Sequence, residues 1–359
     1  MRNRFFQDEF KILFLILFFL LYISFLGQYS AGGGRFNEQI LRHLIHIVVG
    51  IGLMQAAHMI NLRYWKNSAY IFYAVVLFSL IVVEILGIVK LGAQRWINLY
   101  FFAFQPSEPM KIALILALAR YYSVLSPLET ADVKRHVFPF LLTVTPAILI
   151  CKQPDLGTAG LLVCVGIGMM FLAGFPWKIF VAIAGSCATL CPFGWFFLHD
   201  YQRNRILTFL NPDNDPLGTG YHILQSKIAI GSGGAFGRGL LEGTQSSLNF
   251  LPEKNTDFIF AMAAEEWGFF GSLFIIALFL ALCGYFFWTA SKARSDFAKF
   301  VCYGIGMLTF LHVFVNIAMA IGLFPIVGIP LPFLSYGGSS MITFAIGCGL
   351  AMSALGRRK

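Results

Sequence analysis

Apolar runs of about 20 residues recur along the whole chain, and they constrain its fold more than any other feature. A helix of about that length crosses the hydrocarbon core of a bilayer, where backbone polar groups must be satisfied internally. Of the 359 residues, 58% are hydrophobic and 12% are charged, about half the charged share of a soluble domain. The sequence therefore predicts an all-α, polytopic membrane protein that forms a single domain over residues 1–359.

The apolar runs predict about ten membrane-spanning helices. One long polar loop, at about residues 199–258, separates the seventh span from the eighth. Irregular loops of this length are uncommon and are usually functional. The predicted spans lie at 10–27, 40–60, 69–89, 108–125, 136–151, 156–174, 177–198, 266–290, 300–322 and 335–355.

The charge distribution predicts the orientation of the chain. The formal net charge is +9, and 15 of the 26 Lys and Arg residues fall in short loops and termini on one side of the spans. Cytoplasmic loops carry such an excess of basic residues, so both termini are predicted to be cytoplasmic and the 199–258 loop extracytoplasmic. The same pattern argues against a nucleic acid partner. The first apolar run has no small-residue cleavage site, so we expect it to be retained as a span.

Charged residues in the third loop lie near the outer ends of two predicted spans. Arg95 suits a position at the membrane interface, and Ser107 is of a residue type that often caps the start of a helix. Glu108 and Lys111 then lie three residues apart on one face of the fourth span. They form either a local ion pair that stabilises the helix start, or a cation that faces a cavity and is held by its carboxylate.

Further polar residues mark the outer ends of later spans. Lys152 and Asp155 flank a proline at the start of the sixth span. Asp155 suits a helix cap, whereas a lysine so close to an apolar run requires an acidic partner. Ser335 lies in a last outer loop rich in proline and glycine, and such backbone at membrane depth is tolerated only where it is buried or lines a wet cavity.

Asp257 stands where the long polar loop ends and an apolar helix begins, four residues after Glu253. Burial disfavours the charged form of a carboxyl group, and acids at membrane level are costly and usually functional. The alternative is a helix cap, because Asn255, Thr256 and Asp257 are all suitable N-cap residues. The position of Asp257 alone does not decide between the two.

Several other features have structural interpretations. Residues 221–230 predict a short amphipathic helix, and residues 231–239 predict a Gly-rich turn that lacks the lysine spacing of a P-loop. His312 and Asn316, four residues apart in the ninth span, are interpreted as polar groups that hold helices together. The inner halves of the spans are mostly apolar, with Glu84 and Asn316 as the polar exceptions. The seven cysteines are interpreted as packing residues.

Several blocks of sequence together resemble one bacterial family. The chain contains GAQRWI, QPSEPMK, QPDLGT, GTQSSLNFLPEKNTDF and PIVGIPLPFLSYGG. These blocks resemble the SEDS proteins (shape, elongation, division and sporulation), and the last two resemble the RodA-like branch. The match runs over most of the chain. Pro109 and Trp267 depart from the residues more usual in the family, and neither departure removes a charged group.

The resemblance implies a ten-helix fold and a peptidoglycan glycosyltransferase that polymerises lipid II at the outer face of the cytoplasmic membrane during cell elongation and rod-shape maintenance. It implies undecaprenyl-diphosphate-linked glycan as the second substrate, a class B penicillin-binding transpeptidase as partner, and membrane lipids around the protein. The family's essential acid is the aspartate of the TDF motif, which is Asp257 in this chain.

The reaction class agrees with the residues available. A single inverting displacement of a lipid diphosphate needs a base and stabilisation of the leaving group, but no covalent nucleophile. We expect Asp257 to be the base. The sequence leaves open whether a divalent metal, Mg or Mn, takes part; the candidate ligands for such a metal are Asp257, Glu108 and Asp155. The expected substrate-binding residues are Arg95, Glu108, Lys111, Lys152, Asp155, Glu253 and Ser335.

Two other functions compete with glycosyl transfer. A flippase or transporter for lipid-linked precursors would need polar groups along the whole path through the membrane. A non-catalytic scaffold that recruits the transpeptidase would not need Asp257.

Overall fold

The computed structural model describes residues 2–90, 93–98, 103–194, 200–212, 215, 218–248, 250–251 and 253–355. These residues are mainly helical. The helices are α1 (Arg2–Ala31), α2 (Glu38–Met59), α3 (Leu62–Leu86), α4 (Ser107–Tyr122), α5 (Pro127–Thr130), α6 (Val137–Lys152), α7 (Leu156–Leu172), α8 (Trp177–Gly194), α9 (Asp200–Leu210), α10 (Thr219–Ser232), α11 (Thr244–Ser247), α12 (Ile259–Lys292), α13 (Asp296–Ala320) and α14 (Gly338–Leu355).

A helix lies at each of the ten predicted span positions, which confirms the polytopic helical fold. Among the described residues, seven helices are individually long and apolar enough to cross a membrane, and α7 is a shorter apolar helix. Their outward faces expose large apolar side chains such as Phe18, Val48 and Ile71. Exposed apolar surface of this extent is what lipid, rather than water, would cover. The count of ten crossings stays a prediction.

Asparagine and serine side chains define several helix starts. Asn37, Asn61 and Ser295 cap α2, α3 and α13, and each accepts a hydrogen bond from a backbone N–H in the first helical turn. The fourth predicted span does begin at Ser107, but the expected cap is wrong. The N-cap residue of α4 is Pro106, which makes no side-chain bond, and Ser107 lies within the first turn.

The central helix of the bundle is α4. It contacts α3, α6, α7, α13 and α14, and most of its side chains are buried. Because it is enclosed on all sides, even the polar residues of its first turns, Glu108 and Lys111, are removed from solvent.

Three short strands were not predicted, and they fall between α3 and α4. Strand β1 (Ile88–Lys90) pairs antiparallel with β2 (Ala93–Asn98), and β2 pairs antiparallel with β3 (Ala103–Phe104). The sheet matters for the site, because β2 carries Arg95 and fixes its backbone next to the chain between α6 and α7.

The long loop between α8 and α12 contains more regular structure than expected. The predicted amphipathic helix is confirmed as α10, whereas α9 and α11 were not anticipated. The glycine-rich turn follows α10 and packs against a break in α12 at Gly268, whose φ of 67° and ψ of −162° are not helical. Backbone N–H groups of Phe269 and Phe270 donate to the carbonyl oxygens of Gly234 and Ala235 across this contact.

Candidate active site

Asp257 lies at the end of the bundle where α12 begins, and it does not cap that helix. The N-cap position of α12 is Phe258, and no side chain makes a capping hydrogen bond there. The capping interpretation of Asp257 is therefore wrong. The side chain of Asp257 remains partly exposed. It faces Gly328, where a Cβ atom would lie 3.5 Å from Oδ2 of Asp257.

The chain just before Asp257 is held by α1 and by the loop that precedes α14. The Nε2 group of Gln28 in α1 donates to the carbonyl oxygen of Asn255 at 3.0 Å. The backbone N–H of Tyr336 donates to the same oxygen at 2.8 Å. The turn that carries the acid is therefore tied to segments more than 75 residues away in both directions along the chain.

Two further side chains hold the next two carbonyl groups. The hydroxyl of Ser335 donates to the carbonyl oxygen of Thr256 at 2.6 Å. The Nδ2 group of Asn316 donates to the carbonyl oxygen of Asp257 at 3.0 Å. Three successive carbonyl groups before α12 are thus fixed by hydrogen bonds from other elements. Ser335, predicted to bind substrate, is buried and contacts the turn instead.

The environment of Asp257 raises its pKa to about 6. The largest cause is burial, and the carboxylate of Glu253 adds to the increase. Arg205 and Arg95 act in the opposite direction, and Asp155 raises the pKa slightly. A carboxyl group with this pKa is largely ionised at neutral pH yet basic enough to accept a proton.

Arg95 and Asp155 form a second part of the site. Nη1 of Arg95 lies 3.7 Å from Oδ2 of Asp155, and its Nε donates to the carbonyl oxygen of Gln153 at 3.0 Å. Another Arg95 nitrogen donates to the carbonyl oxygen of Pro154. Asp155 also caps α7, because it accepts a bond from the backbone N–H of Thr158 at 3.2 Å. The cap and the ion pair are therefore both present.

Glu108 and Lys111 form the ion pair that their spacing predicts, with Nζ 2.8 Å from Oε1. The Lys111 side chain is 1% exposed, so its charge does not face an open cavity. Its Nζ also lies 2.9 Å from Nε2 of His312 on α13. Nδ1 of His312 is 2.9 Å from the Leu308 carbonyl oxygen and so carries the ring proton. Nε2 is then the acceptor of the lysine's hydrogen bond.

Lys152 lies apart from this group. Its Nζ is 3.9 Å from Oε1 of Glu84, and the Lys152 side chain is 61% exposed. The expectation that Asp155 would be its partner is wrong, since Asp155 pairs with Arg95. The inner-half position expected for Glu84 and Asn316 is also wrong. Both residues contact groups at the same end of the bundle as Asp257.

Glu253 begins the turn that leads to Asp257. Its φ of 51° lies in the left-handed region, which costs a non-glycine residue about 1–2 kcal/mol. The hydroxyl of Thr256 donates to its Oε2 at 2.9 Å. Glu253 is exposed and close enough to Asp257 to raise the pKa of that residue.

Arg205 is a site residue that the sequence did not single out. It lies on α9, is partly exposed, and its charge acts on Asp257. In the described part of the chain it makes no hydrogen bond or ion pair, unlike Arg95. The sequence signal was weak, because Arg205 is one of two arginines in a helix that had not been predicted.

The segment that follows the glycine-rich turn is fixed by two acids of α12, Glu265 and Glu266. The buried carboxylate of Glu265 accepts hydrogen bonds from the backbone N–H groups of Gln245 at 2.8 Å and Ser246 at 3.2 Å. Glu266 accepts from the hydroxyl of Ser30 and from the backbone N–H of Leu241. These acids organise the loop and are not available as ligands for a substrate.

Metal binding gains no support from the side-chain arrangement. Over the described ranges, no group of three or more His, Cys, Asp and Glu side chains has the geometry to hold a metal ion. A role for Asp257, Glu108 and Asp155 as ligands of Mg or Mn stays a prediction.

Comparison with known protein families gives the class of this protein. Residues 7–359 match the family model for the cell cycle proteins FtsW, RodA and SpoVE. Since the match spans almost the whole chain, the protein belongs to this family, which is the SEDS family that the sequence blocks resemble.

Individual relatives carry names that describe an activity. The chain is 42% identical over 348 residues to the peptidoglycan glycosyltransferase MrdB of Escherichia coli (strain K12), covering 96% of this chain and 93% of the relative. It is 33% identical to the peptidoglycan glycosyltransferase RodA of Treponema pallidum, with full coverage of both chains.

Two solved structures share the fold. One is a chain from a structure described as the structural coordination of polymerization and crosslinking by a peptidoglycan synthase complex. Its TM-score to this protein is 0.84 at 30% sequence identity, and 96% of each chain is covered. The other is the rod shape determining protein RodA of Thermus thermophilus, with a TM-score of 0.71 at 25% identity, covering 96% of this chain and 95% of that one.

Proposed function

We propose that this protein is a peptidoglycan glycosyltransferase of the elongation machinery, which polymerises lipid II at the outer face of the cytoplasmic membrane. The observation that carries the proposal is Asp257, a partly exposed acid with a raised pKa beside two arginines, at one end of a membrane bundle. The names of the relatives and the positive-inside distribution of charge support the substrate and the orientation.

Asp257 acts as the general base in this proposal. Its carboxylate takes the proton from the 4-hydroxyl of the acceptor sugar as that oxygen attacks the anomeric carbon of the donor. The bond from that carbon to the diphosphate breaks, and its electron pair leaves with the undecaprenyl diphosphate. One inverting displacement converts the α-linked donor into a β-1,4 linkage, so no covalent intermediate is required.

Arg95 and Arg205 stabilise the diphosphate as it departs. Both charges act on Asp257, which means that they lie near the reacting groups. Developing negative charge is stabilised most by cations that are already in position, because they need no reorganisation during the reaction. Arg95 is held by the carbonyl groups of Gln153 and Pro154 and is therefore preorganised. Arg205 has no partner in the described part of the chain and is available for the substrate.

The buried cation has a different role. Lys111 is enclosed with Glu108 and His312 in the bundle, so it supports the structure of the site and does not contact the diphosphate. Lys152 is exposed, pairs with Glu84 and is assigned no contact with substrate.

The partner assignment is part of the proposal. A class B penicillin-binding transpeptidase would cross-link the strands that this protein makes. Support comes from the fold neighbour whose description joins polymerization and crosslinking in one complex.

Purified protein in liposomes with lipid II as sole substrate tests the function. We expect glycan strands to form without any other polymerase, and to be lost in the Asp257→Asn variant. Transfer of lipid II between leaflets without polymer formation would instead support the flippase. Normal cell-wall growth with Asp257→Asn would support the scaffold.

A further inference from the structure

Asn316 makes two hydrogen bonds that join separate parts of the site. It lies on α13, and its side chain is 0% exposed. Its Nδ2 group donates to the carbonyl oxygen of Asp257 at 3.0 Å and to the carbonyl oxygen of Ile329 at 2.8 Å. Asp257 lies two residues before the start of α12, and Ile329 lies in the loop after α13. One amide group therefore connects the turn that carries the acid to the loop that faces it.

The orientation of this amide is determined by its surroundings. Both neighbours are carbonyl oxygens, which accept and cannot donate, so the NH₂ group must point toward them. The Oδ1 atom is buried and has no hydrogen-bond partner among the residues described. A buried acceptor without a partner lowers stability, so the unpaired Oδ1 offsets part of what the two bonds of the NH₂ group contribute.

The loop beyond Ile329 brings the backbone against the acid. Gly328, the neighbour of Ile329, has a φ of 71° and lies against the carboxylate of Asp257. Fixing the Ile329 carbonyl group thus fixes the backbone that forms one wall of the space around the acid. The same amide sets the position of the acid and the position of that wall.

The helix that carries Asn316 is itself anchored. His312 lies one turn earlier on α13 and accepts a hydrogen bond from Lys111 of the central helix α4 at 2.9 Å. Lys111 is in turn paired with Glu108 at 2.8 Å. Buried, hydrogen-bonded groups of this kind fix the register of neighbouring helices. Asn316 therefore extends from a helix face that is locked to the centre of the bundle.

We infer that Asn316 is a positioning residue for glycosyl transfer, which holds the main chain of Asp257 and the Gly328–Ile329 segment at a fixed separation. This inference rests on the proposed function. It goes beyond holding helices together, because it predicts a loss in the chemical step and not only a loss in stability.

The test compares Asn316→Leu and Asn316→Ala with the wild-type protein in nanodiscs, using lipid II. We expect kcat to fall about 100-fold, because displacement of a reacting group by about 1 Å costs that much. KM for lipid II should stay within about threefold, since Asn316 does not contact substrate in this account and the loss falls on the transition state. The concentration of monodisperse protein is used to obtain kcat, and the melting temperature of each variant is measured in parallel.

A matched control is available on the same helix. Thr309 is buried, but its hydroxyl donates only to the carbonyl oxygen of Ile305 within α13. Thr309→Val should therefore leave kcat within about twofold of the wild type, because it removes a buried polar group without a link to Asp257. Normal kcat in folded Asn316→Ala, or an equal loss of kcat in Thr309→Val, would overturn the inference.

A pH profile separates positioning from packing. Removal of the amide frees the turn and increases the hydration of Asp257, so the acidic limb of kcat/KM should move to lower pH. The charged groups that act on this carboxyl, Glu253, Arg205, Arg95 and Asp155, are unchanged in the variant. A purely structural role would leave the limb in place. If Asp257→Asn polymerises lipid II normally, the proposed base is wrong; if only Asn316→Ala does, the inference alone fails.

Discussion

Two glutamate–lysine pairs lie at the same end of the bundle and differ in almost every physical respect. Glu108 and Lys111 are 2.8 Å apart, with side chains 5% and 1% exposed. Glu84 and Lys152 are 3.9 Å apart, with side chains 40% and 61% exposed. Identical chemical groups are thus enclosed in the centre of the protein in one case and hydrated at its surface in the other.

The difference shows that burial, and not residue type, determines what an ion pair does. The hydrated pair gains little from its contact, because water and salt screen both charges. In the buried pair each charge depends on the other, since neither can be solvated if its partner is removed. The buried pair can therefore support the site, whereas the surface pair is dispensable.

The largest expected effect is that of Lys111→Met. The substitution leaves the carboxylate of Glu108 buried without its cation, which destabilises a protein by about 3–5 kcal/mol. We expect a much lower melting temperature in nanodiscs and no measurable polymerisation. Removal of both charges in Glu108→Met/Lys111→Met should recover part of the stability, because no unpaired charge remains. A double variant less stable than Lys111→Met would contradict this explanation.

Arg205→Gln should have the second largest effect. Arg205 belongs to neither of the two glutamate–lysine pairs. Arg205 is partly exposed and has no partner in the described part of the chain, so its charge is available to a diphosphate. We expect turnover to fall about 100-fold, as for the loss of one donor to a developing anion. The melting temperature should change little. Unchanged turnover would remove Arg205 from the leaving-group site.

The pH dependence of wild-type kcat/KM should show a smaller but diagnostic effect. The pKa of Asp257 is raised from 3.8 to about 6, chiefly by burial. A base acts in its deprotonated form, so activity should rise with pH, level off above about 6, and fall about tenfold for each unit below it. An acidic limb near pH 4 would indicate a hydrated carboxyl group.

Lys152→Met completes the comparison with the smallest expected effect. A surface ion pair contributes about 0–1 kcal/mol, and its loss should leave both melting temperature and turnover close to the wild-type values. A reduction in turnover of more than about tenfold would indicate that Lys152 binds substrate. The surface pair would then not be dispensable, in contradiction to the comparison with the buried pair.

Much of the fold could be predicted because long apolar runs are local signals. Each predicted span position carries a helix, and the Glu108–Lys111 contact follows from a three-residue spacing. The surroundings of α4 could not be predicted in this way. Spacing does not reveal that α4 is enclosed by five other helices, and so it did not indicate that Lys111 would be buried.

The parts of the site that were missed depend on long-range contacts. Arg95 pairs with Asp155 because an unpredicted small sheet places it there, and this leaves Lys152 to Glu84. The bond from Asn316 to Asp257 joins residues 59 positions apart. Such contacts depend on how helices pack, for which a single sequence contains no direct signal.

The most direct test of the account is the turnover of Asp257→Asn on lipid II, measured on folded protein in nanodiscs. Asparagine keeps the shape of the side chain but cannot accept the proton, so the account predicts a rate at least about 100-fold lower with lipid II binding retained. Melting temperature at pH 7 should be equal or higher, because a charge that is costly to bury has been removed. Turnover within a few-fold of wild type would contradict the assignment of Asp257 as the base.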